Sequence, residues 1–436
     1  MIAEKLFLNT LERIHEGRIE VVAPSGTYAF GDKNGDLSSK LIVENPRFFS
    51  RAVFGGDDGA GDSYVDGDWR SSDLVSLVRI VVRNLAALSQ GSRALSAVNR
   101  AVYRVRHLLR ANTLDGSRQN IAAHYDLSND FFRLFLDREM LYSCAIFEHE
   151  GDSLEEAQSR KLDRICEKLD IRGDEHVLEI GTGWGAFAER AVTRYGCRVT
   201  TTTISQQQYD AAKDRFAKLG DAGKRIDLLF EDYRNLRGAY DKIVSIEMFE
   251  AVGLGHYDEF FGVCDRLLTP AGAMLLQTIT MNERQFPDYH RRSDWIQRRI
   301  FPGAELASLS EVLRSVGRAT SLTLSHLEDI GLHYALTLEE WRRRFLDHRE
   351  QVRQLNFDER FLRMWEYYLA YCEGAFRERY IGDAQLLFTK LHNPSAVWGD
   401  PGRHGHDAEY IPTGRSEGLH ICGSQLREAR LARGLA

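Results

Sequence analysis

Apolar and β-branched residues dominate the runs HVLEIG (176–181), RVTTTTIS (198–205), RIDLLFED (225–232), YDKIVSIEM (240–248) and AMLLQTIT (273–280), and helical patterns separate them. Apolar strands alternating with amphipathic helices predict a doubly wound, mostly parallel sheet covered by helices, an α/β fold extending over 120–392. Ahead of it, residues 1–90 open with Leu6, Leu8, Leu11 and Ile14 at helical spacing. They continue with the strand-like runs RIEVV and SKLIVE between Gly, Asp and Asn turns, which predicts a smaller N-terminal α+β domain. Within it FGGDDGAGDS (54–63), with four Gly and three Asp, reads as a surface turn.

Between 91 and 119 the pattern changes. Arg93, Arg100, Arg104, Arg106 and Arg110 surround Leu95, Val98, Val102, Val105 and Leu109 at helical spacing, which predicts a basic amphipathic linker helix. Such a helix either packs between domains with solvated arginines or meets anionic lipid head groups. From 393 to 436 Gly, Pro, His and Asp are prominent and periodicity is lost, so this stretch reads as a peripheral tail.

The chain's 436 residues correspond to two or three units at roughly 150 residues per domain. With 57 basic and 64 acidic side chains the net charge is −7, which lacks the positive field that nucleic acid requires. Six scattered cysteines without a CxxC spacing argue against a disulfide framework or a zinc site, and no metal is expected. The opening MIAEKLFLNTLERIHEG has no long apolar core, and no run of 18 apolar residues occurs anywhere. A cytoplasmic protein that does not span the membrane is expected.

The most informative stretch is HVLEIGTGWGAFAERAV, where a strand ends in Gly181-Thr182-Gly183-Trp184-Gly185 and passes directly into a helix. Glycines there let a ligand approach the backbone beside a helix N-terminus; the alternative is a tight turn with no ligand. The second strand ends in TTTTISQQQ, offering Thr203, Ser205 and Gln208 instead of the acidic residue that grips a dinucleotide ribose, which makes NAD a poor fit. Further on, Asp232 is placed to accept from an adenine amino group with Tyr233 beside the ring, although an Asp at a strand end also serves as a cap.

Ten ordered blocks carry a family resemblance: NIAAHYDLSNDFF (120–132), MLYSCAIFE (140–148), SLEEAQSRKLDRICEKL (153–169), VLEIGTGWG (177–185), TISQQQ (203–208), IVSIEMFEAVG (243–253), LLQTIT (275–280), RIFPG (299–303), IGLHYALTLEEW (330–341) and YCEGAFRER (371–379). With them the chain resembles the S-adenosylmethionine-dependent cyclopropane fatty acid synthases and the mycolic acid methyltransferases, and more loosely so at GDSYVDGDW (61–69). The resemblance implies a Rossmann-like class I methyltransferase domain, with S-adenosylmethionine contacted by Tyr142, Ser143, Gly181, Gly183, Thr203, Gln208, Asp232 and Tyr233. It also implies, as acceptor, a cis double bond in an unsaturated phospholipid acyl chain, reached by peripheral contact with the inner membrane surface, and a homodimeric enzyme.

Attack of such a bond on a sulfonium methyl leaves a carbocation. The chemistry then needs a water-poor pocket, aromatic faces and a held anion that removes a proton to close the ring. By the resemblance that anion is bicarbonate, held at Cys144, Glu250, Gln277, Ile279 and Tyr334. Gln277 departs from the LLHTI pattern of many members: an amide donates a hydrogen bond but carries no charge and shuttles no proton. The departure leaves open a methylene- or methyl-branched product instead of a cyclopropane. Thr182, where Cys is common, sits between the two glycines and is expected to matter little.

Each residue has a plainer reading too. Cys144 alone would be a small buried hydrophobe, Glu250 a salt-bridge partner, Tyr334 a core tyrosine and His124 a structural or gating residue. Phe131, Phe132 and Phe135 read as core more readily than as an acyl-pocket wall. In YHRRSDWIQRRIFPG (289–303), Arg291, Arg292, Arg298 and Arg299 flank Trp295 and Ile296 as in an interfacial helix, making a second lipid-contact candidate. Two other functions compete: a small-amine N-methyltransferase of the same fold, and a non-catalytic lipid-binding protein.

Overall fold

The computed structural model describes residues 2–89, 128–292 and 294–393. The expected linker helix, His124 and the tail beyond residue 393 lie outside them. Among the described residues no helix is long and apolar enough to cross a membrane.

The N-terminal region begins with α1 (Ile2–Leu11) and a small sheet of β1 (Arg18–Ala23), β2 (Gly26–Gly31), β3 (Ser38–Val43) and β4 (Trp69–Ser71), ordered β2-β1-β3-β4. Two helices accompany it, α2 (Arg47–Val65) and α3 (Leu74–Arg83). Asp73 caps α3 by accepting from the Ser76 N–H, and Val75, Leu77, Val78 and Ile80 form its buried stripe.

The larger sheet holds β5 (His176–Ile180), β6 (Arg198–Thr203), β7 (Ile226–Phe230), β8 (Tyr240–Ile246), β9 (Leu268–Met281), β10 (Thr323–Asp329) and β11 (Ile381–Thr389), ordered β10-β11-β9-β8-β5-β6-β7. All five expected strands are present. β7, β6, β5, β8 and β9 run parallel, while β11 adds antiparallel to β9 and β10 adds antiparallel to β11 at the edge. Strand order reverses between β5 and β8, and in open α/β sheets ligands bind beyond the carboxyl ends of strands at such a switch point. Three further helices matter to the site: α4 (Leu154–Leu169), opened by a Ser153/Glu156 capping box, α5 (Gly331–Asp347) and α6 (Glu359–Arg377).

Phe131, Phe132 and Phe135 are fully buried, with Phe131 and Phe135 packed on Trp365 at 4.7 and 5.6 Å and Phe132 on Trp184 at 5.3 Å. They are core, because aromatic edges and faces from three segments close around them. The N-terminal region is tied to α6: Gly374 faces Val78 so closely that a Cβ would stand 2.7 Å from it, and Arg79 and Arg83 both donate to Glu378.

Two expectations are corrected here. FGGDDGAGDS is not a surface turn; it lies inside α2, which kinks at Gly56 (φ 57°, ψ −142°). The glycines serve close approach: a Cβ on Gly61 would lie 2.6 Å from the Trp295 indole nitrogen. The aspartates are partners, for Asp62 accepts from Trp295 Nε1 at 3.1 Å and from Arg299 at 2.6 Å, and Asp58 pairs with Arg298. The same contacts correct the interfacial reading of 289–303 at Trp295, Arg298 and Arg299, while Arg291 and Arg292 are exposed. Trp295 is buried against Tyr367 at 4.8 Å, and Arg298 and Arg299 face the N-terminal region's carboxylates instead of a bilayer.

Replacing an interior helical Gly by Ala ordinarily gains about 1 kcal/mol. At Gly61 the indole must move, so Gly61→Ala is expected to lower stability by about 1–3 kcal/mol. Urea unfolding of the two proteins measures it, and a variant more stable than wild type would refute the close approach.

Candidate active site

The carboxyl end of β5 turns at Gly181, whose amide donates to the Thr202 carbonyl at 3.1 Å. Gly181 has φ 104°, and a Cβ there would meet the Met248 side chain at 3.1 Å, so the turn depends on glycine. Thr182, between the glycines, is buried and shares a hydrogen bond with the Thr201 hydroxyl at 2.7 Å, and Trp184 Nε1 donates to Asn129. Beyond the turn opens a cavity lined by all eight expected donor-binding residues: Tyr142, Ser143, Gly181, Gly183, Thr203, Gln208, Asp232 and Tyr233. Gly183, at φ 53°, leaves open space where a Cβ would stand. A backbone cradle of this kind with polar side chains on one rim fits an adenosyl ligand.

Local contacts set these residues. Thr203 donates to Gln208 Oε1 at 2.8 Å, fixing the amide at the rim. Tyr233 packs edge-on against Phe260 at 5.3 Å. Asp232 caps a short 3-10 helix, and both of its oxygens accept from the Arg234 guanidinium at 2.8 Å, so an adenine amino group would share that carboxylate with an arginine. The loop carrying Tyr142, Ser143 and Cys144 is fastened from several sides. Asp137 accepts from the Glu139 and Leu141 amides, Gln158 donates to the Ser143 carbonyl, and the buried Lys161 ammonium donates to the Ser143 hydroxyl at 2.7 Å.

The expected anion-holding residues fall into two groups, and each is centred on a carboxylate. Glu250 Oε1 accepts from the Ile279 amide at 2.6 Å and the Thr278 hydroxyl at 2.9 Å, while its buried Oε2 has no hydrogen-bond partner. Burial, followed by the nearby Glu247, pushes the Glu250 carboxyl up to about 7. Cys144, Gln277 and Tyr334 converge instead on Glu247, which sequence reasoning did not single out. Glu247 Oε1 accepts from the Cys144 amide and from Gln277 Nε2, both at 2.8 Å, and Oε2 accepts from the Tyr334 hydroxyl at 2.6 Å.

Cys144 therefore contributes its backbone. Its thiol, pushed well above the usual range by burial, turns toward the Ala145 and Ile330 carbonyls. Tyr334 is locked by stacking on Phe376 at 4.5 Å. The orientation of Gln277 is dictated by a relay. Lys168, a donor only, approaches Gln385 Oε1 at 2.7 Å, so the Gln385 amino group donates to Gln277 Oε1 at 3.0 Å and the Gln277 amino group is left to face Glu247. Asp383 completes the cluster: Gln277 Nε2 lies 3.3 Å from its Oδ2, and burial together with Glu247 holds its carboxyl well above the ordinary range.

These donors do not fit a separate bicarbonate ion. Three of the expected five already serve the Glu247 carboxylate and the Ile279 amide serves Glu250, while Glu250 itself would be a second anion facing the first. Glu247 was legible only as a second acidic residue in IVSIEMFEAVG, one position past the end of β8. Asp383, Thr278 and Lys161 carried no local signal.

The model of the family described as mycolic acid cyclopropane synthetase matches residues 113–386. The tuberculostearic acid methyltransferase UfaA1 of Mycobacterium tuberculosis is 38% identical over 343 residues, covering 77% of this chain and 79% of that protein. The cyclopropane-fatty-acyl-phospholipid synthase of Escherichia coli is 36% identical over 359 residues, covering 82% and 89%. Among solved structures, the mycolic acid cyclopropane synthase CmaA1 complexed with SAH and CTAB has a TM-score of 0.59 at 34% identity, covering 63% of this chain and 98% of its own.

One carboxylate on the cavity wall gives a pH test. Burial pushes Glu179 from its ordinary 4.5 up to about 8, against the Thr201 hydroxyl that donates to it at 2.6 Å. Between those values the folded chain keeps a proton that the unfolded chain releases, so this group costs stability progressively as pH rises. Glu179→Gln is expected to gain a few kcal/mol on wild type between pH 5 and pH 8 in urea unfolding. A difference that does not change with pH would refute the buried-acid assignment.

Proposed function

The chain belongs to the mycolic acid cyclopropane synthetase family and is an S-adenosylmethionine-dependent methyltransferase, and from that premise we propose that it methylates the cis double bond of unsaturated acyl chains in membrane phospholipids. The observation that carries this reading is the joining of two environments. The cavity lined by the glycine turn is also lined by Glu247, and so opens onto a buried cluster of carboxyl groups backed by stacked aromatic rings. An amine acceptor already has a lone pair and needs no such cluster, whereas a cation formed on an alkene needs a dry site with negative charge and π faces beside it.

S-adenosylmethionine, when bound, supplies a methyl group on an electrophilic sulfonium. Every other requirement falls to the chain. Gly181 and Gly183 admit the ligand to the backbone, Gln208 and Asp232 offer polar atoms at the rim, and Tyr142 and Trp184 present aromatic surface to the same cavity. Glu250, fixed by Ile279 and Thr278 with Oε2 unengaged, is the residue to which we assign an acceptor atom for the reaction. Ring closure to the cyclopropane is the outcome we assign, with the methylene-branched chain as the competing product at Gln277. We assign peripheral contact with the bilayer to the basic stretch 91–119, because Arg298 and Arg299 are paired with Asp58 and Asp62.

Incubation of the protein with isotopically labelled S-adenosylmethionine and vesicles of cis-monounsaturated phospholipid is expected to add one CH₂ to the acyl chains. Mass spectrometry with cyclopropane and methylene standards reads the product. Glu250→Ala is expected to abolish turnover while calorimetric binding of S-adenosylhomocysteine stays nearly intact. A variant retaining more than half of wild-type turnover would remove Glu250 from the reaction.

A further inference from the structure

Glu247 stands at the sheet's switch point, immediately beyond the end of β8, with its amide donating to the Gln277 carbonyl at 2.8 Å. Its backbone is left-handed, at φ 47°, a conformation that costs a residue with a Cβ and persists only where the surroundings impose it. What the turn achieves is placement. The side chain reaches both the cavity wall that bears the glycine turn and the three donors supplied by Cys144, Gln277 and Tyr334. Those donors come from three separate segments, and together they build a seat for one anion.

We propose that the Glu247 carboxylate is itself the anion in that seat and acts as the catalytic base, so that the enzyme needs no bicarbonate. The inference rests on the acyl-chain reading above. Once the alkene π pair has bonded to the sulfonium methyl carbon and the carbon–sulfur pair has left with sulfur, one acyl carbon carries the positive charge. A Glu247 oxygen then takes a proton from the new methyl group. The released C–H pair bonds that carbon to the cationic centre and closes the ring, and the proton resides on Glu247. If a hydride first shifts to the cationic carbon, loss of the same proton yields the methylene branch, so one base serves either product. The donors suit a base, because an amide N–H, a carboxamide and a phenol orient the carboxylate while the cation whose field reaches it, Lys161, gives its hydrogen bond to the Ser143 hydroxyl instead.

The test uses the full chain with labelled S-adenosylmethionine and cis-monounsaturated vesicles in carbonate-stripped buffer. Wild-type turnover is expected to change by no more than about twofold on adding sodium bicarbonate, and Glu247→Gln to lose at least about a hundredfold, the range of a removed general base. Calorimetric binding of S-adenosylhomocysteine to Glu247→Gln reports that the donor cavity is intact. Independently of turnover, titration with [13C]bicarbonate followed by NMR is expected to show no saturable binding to wild type and saturable binding to Glu247→Gly, where the seat is vacated. Bicarbonate-dependent wild-type turnover, saturable wild-type binding, or a Glu247→Gln variant keeping more than half its activity would each overturn the proposal. A wild type that adds no CH₂ to lipid would instead defeat the acyl-chain reading, and the bicarbonate titration would then decide this inference alone.

Discussion

The constraint on which the site depends is a half-buried carboxylate at the cavity wall, Glu247. Partial burial still strips water from a charge, so a Glu at the end of a central strand is favoured where the fold returns hydrogen bonds to it. Glu247 receives them from a loop, a strand and a helix: the Cys144 amide, the Gln277 side chain on β9 and the Tyr334 hydroxyl on α5. Each of those segments is held in turn. Lys161 and Gln158 fasten the loop, Lys168 and Gln385 set the amide, and Phe376 sets the phenol. The wall of the donor cavity is thus positioned by the same contacts that make its negative charge tolerable.

The sheet makes this possible at little cost. Parallel β5 and β8 end side by side at the switch point, so the glycine turn after β5 and Glu247 after β8 are neighbours without any long loop to order. Register does the rest. Gln277 pairs with Ile246 on one side and Gln385 on the other, and Ile279 pairs with Asp383, so one pass along β9 brings the members of the polar cluster together. The two carboxylates of the site then differ by environment. Glu250 has one oxygen saturated by Ile279 and Thr278 and the other bare, whereas both oxygens of Glu247 are met.

Sequence reasoning reached what is local and missed what is not. Strands such as KIVSI and AMLLQ are buried on both faces and carry their own signature, and the glycine turn lies within a single βα junction. The stretch FGGDDGAGDS misled because turn composition says nothing of an indole or two arginines more than 230 residues away that make glycine and aspartate suitable inside a helix. The basic run at 289–303 misled for the same reason from the other side of that contact. Glu250 was found through a block resemblance. Glu247, three residues earlier, was not singled out, because its donors lie 30, 87 and 103 residues distant.

The substitution at position 277 and the acid at position 247 are best understood together. A histidine facing a carboxylate can take up a proton and bind it as an ion pair, which ties the negative charge to a fixed partner. A glutamine held by Gln385 can only donate. It orients the carboxylate, adds no countercharge, and cannot itself carry the proton away. With a neutral amide at 277, the proposal gives proton acceptance to the anion that the three donors hold, and the group they hold is Glu247. Burial and Glu247 push the Asp383 carboxyl up, so it takes on negative charge less readily beside that anion. On the proposed reading, the departure at 277 leaves the acid–base role to the Glu247 side chain at the turn after β8.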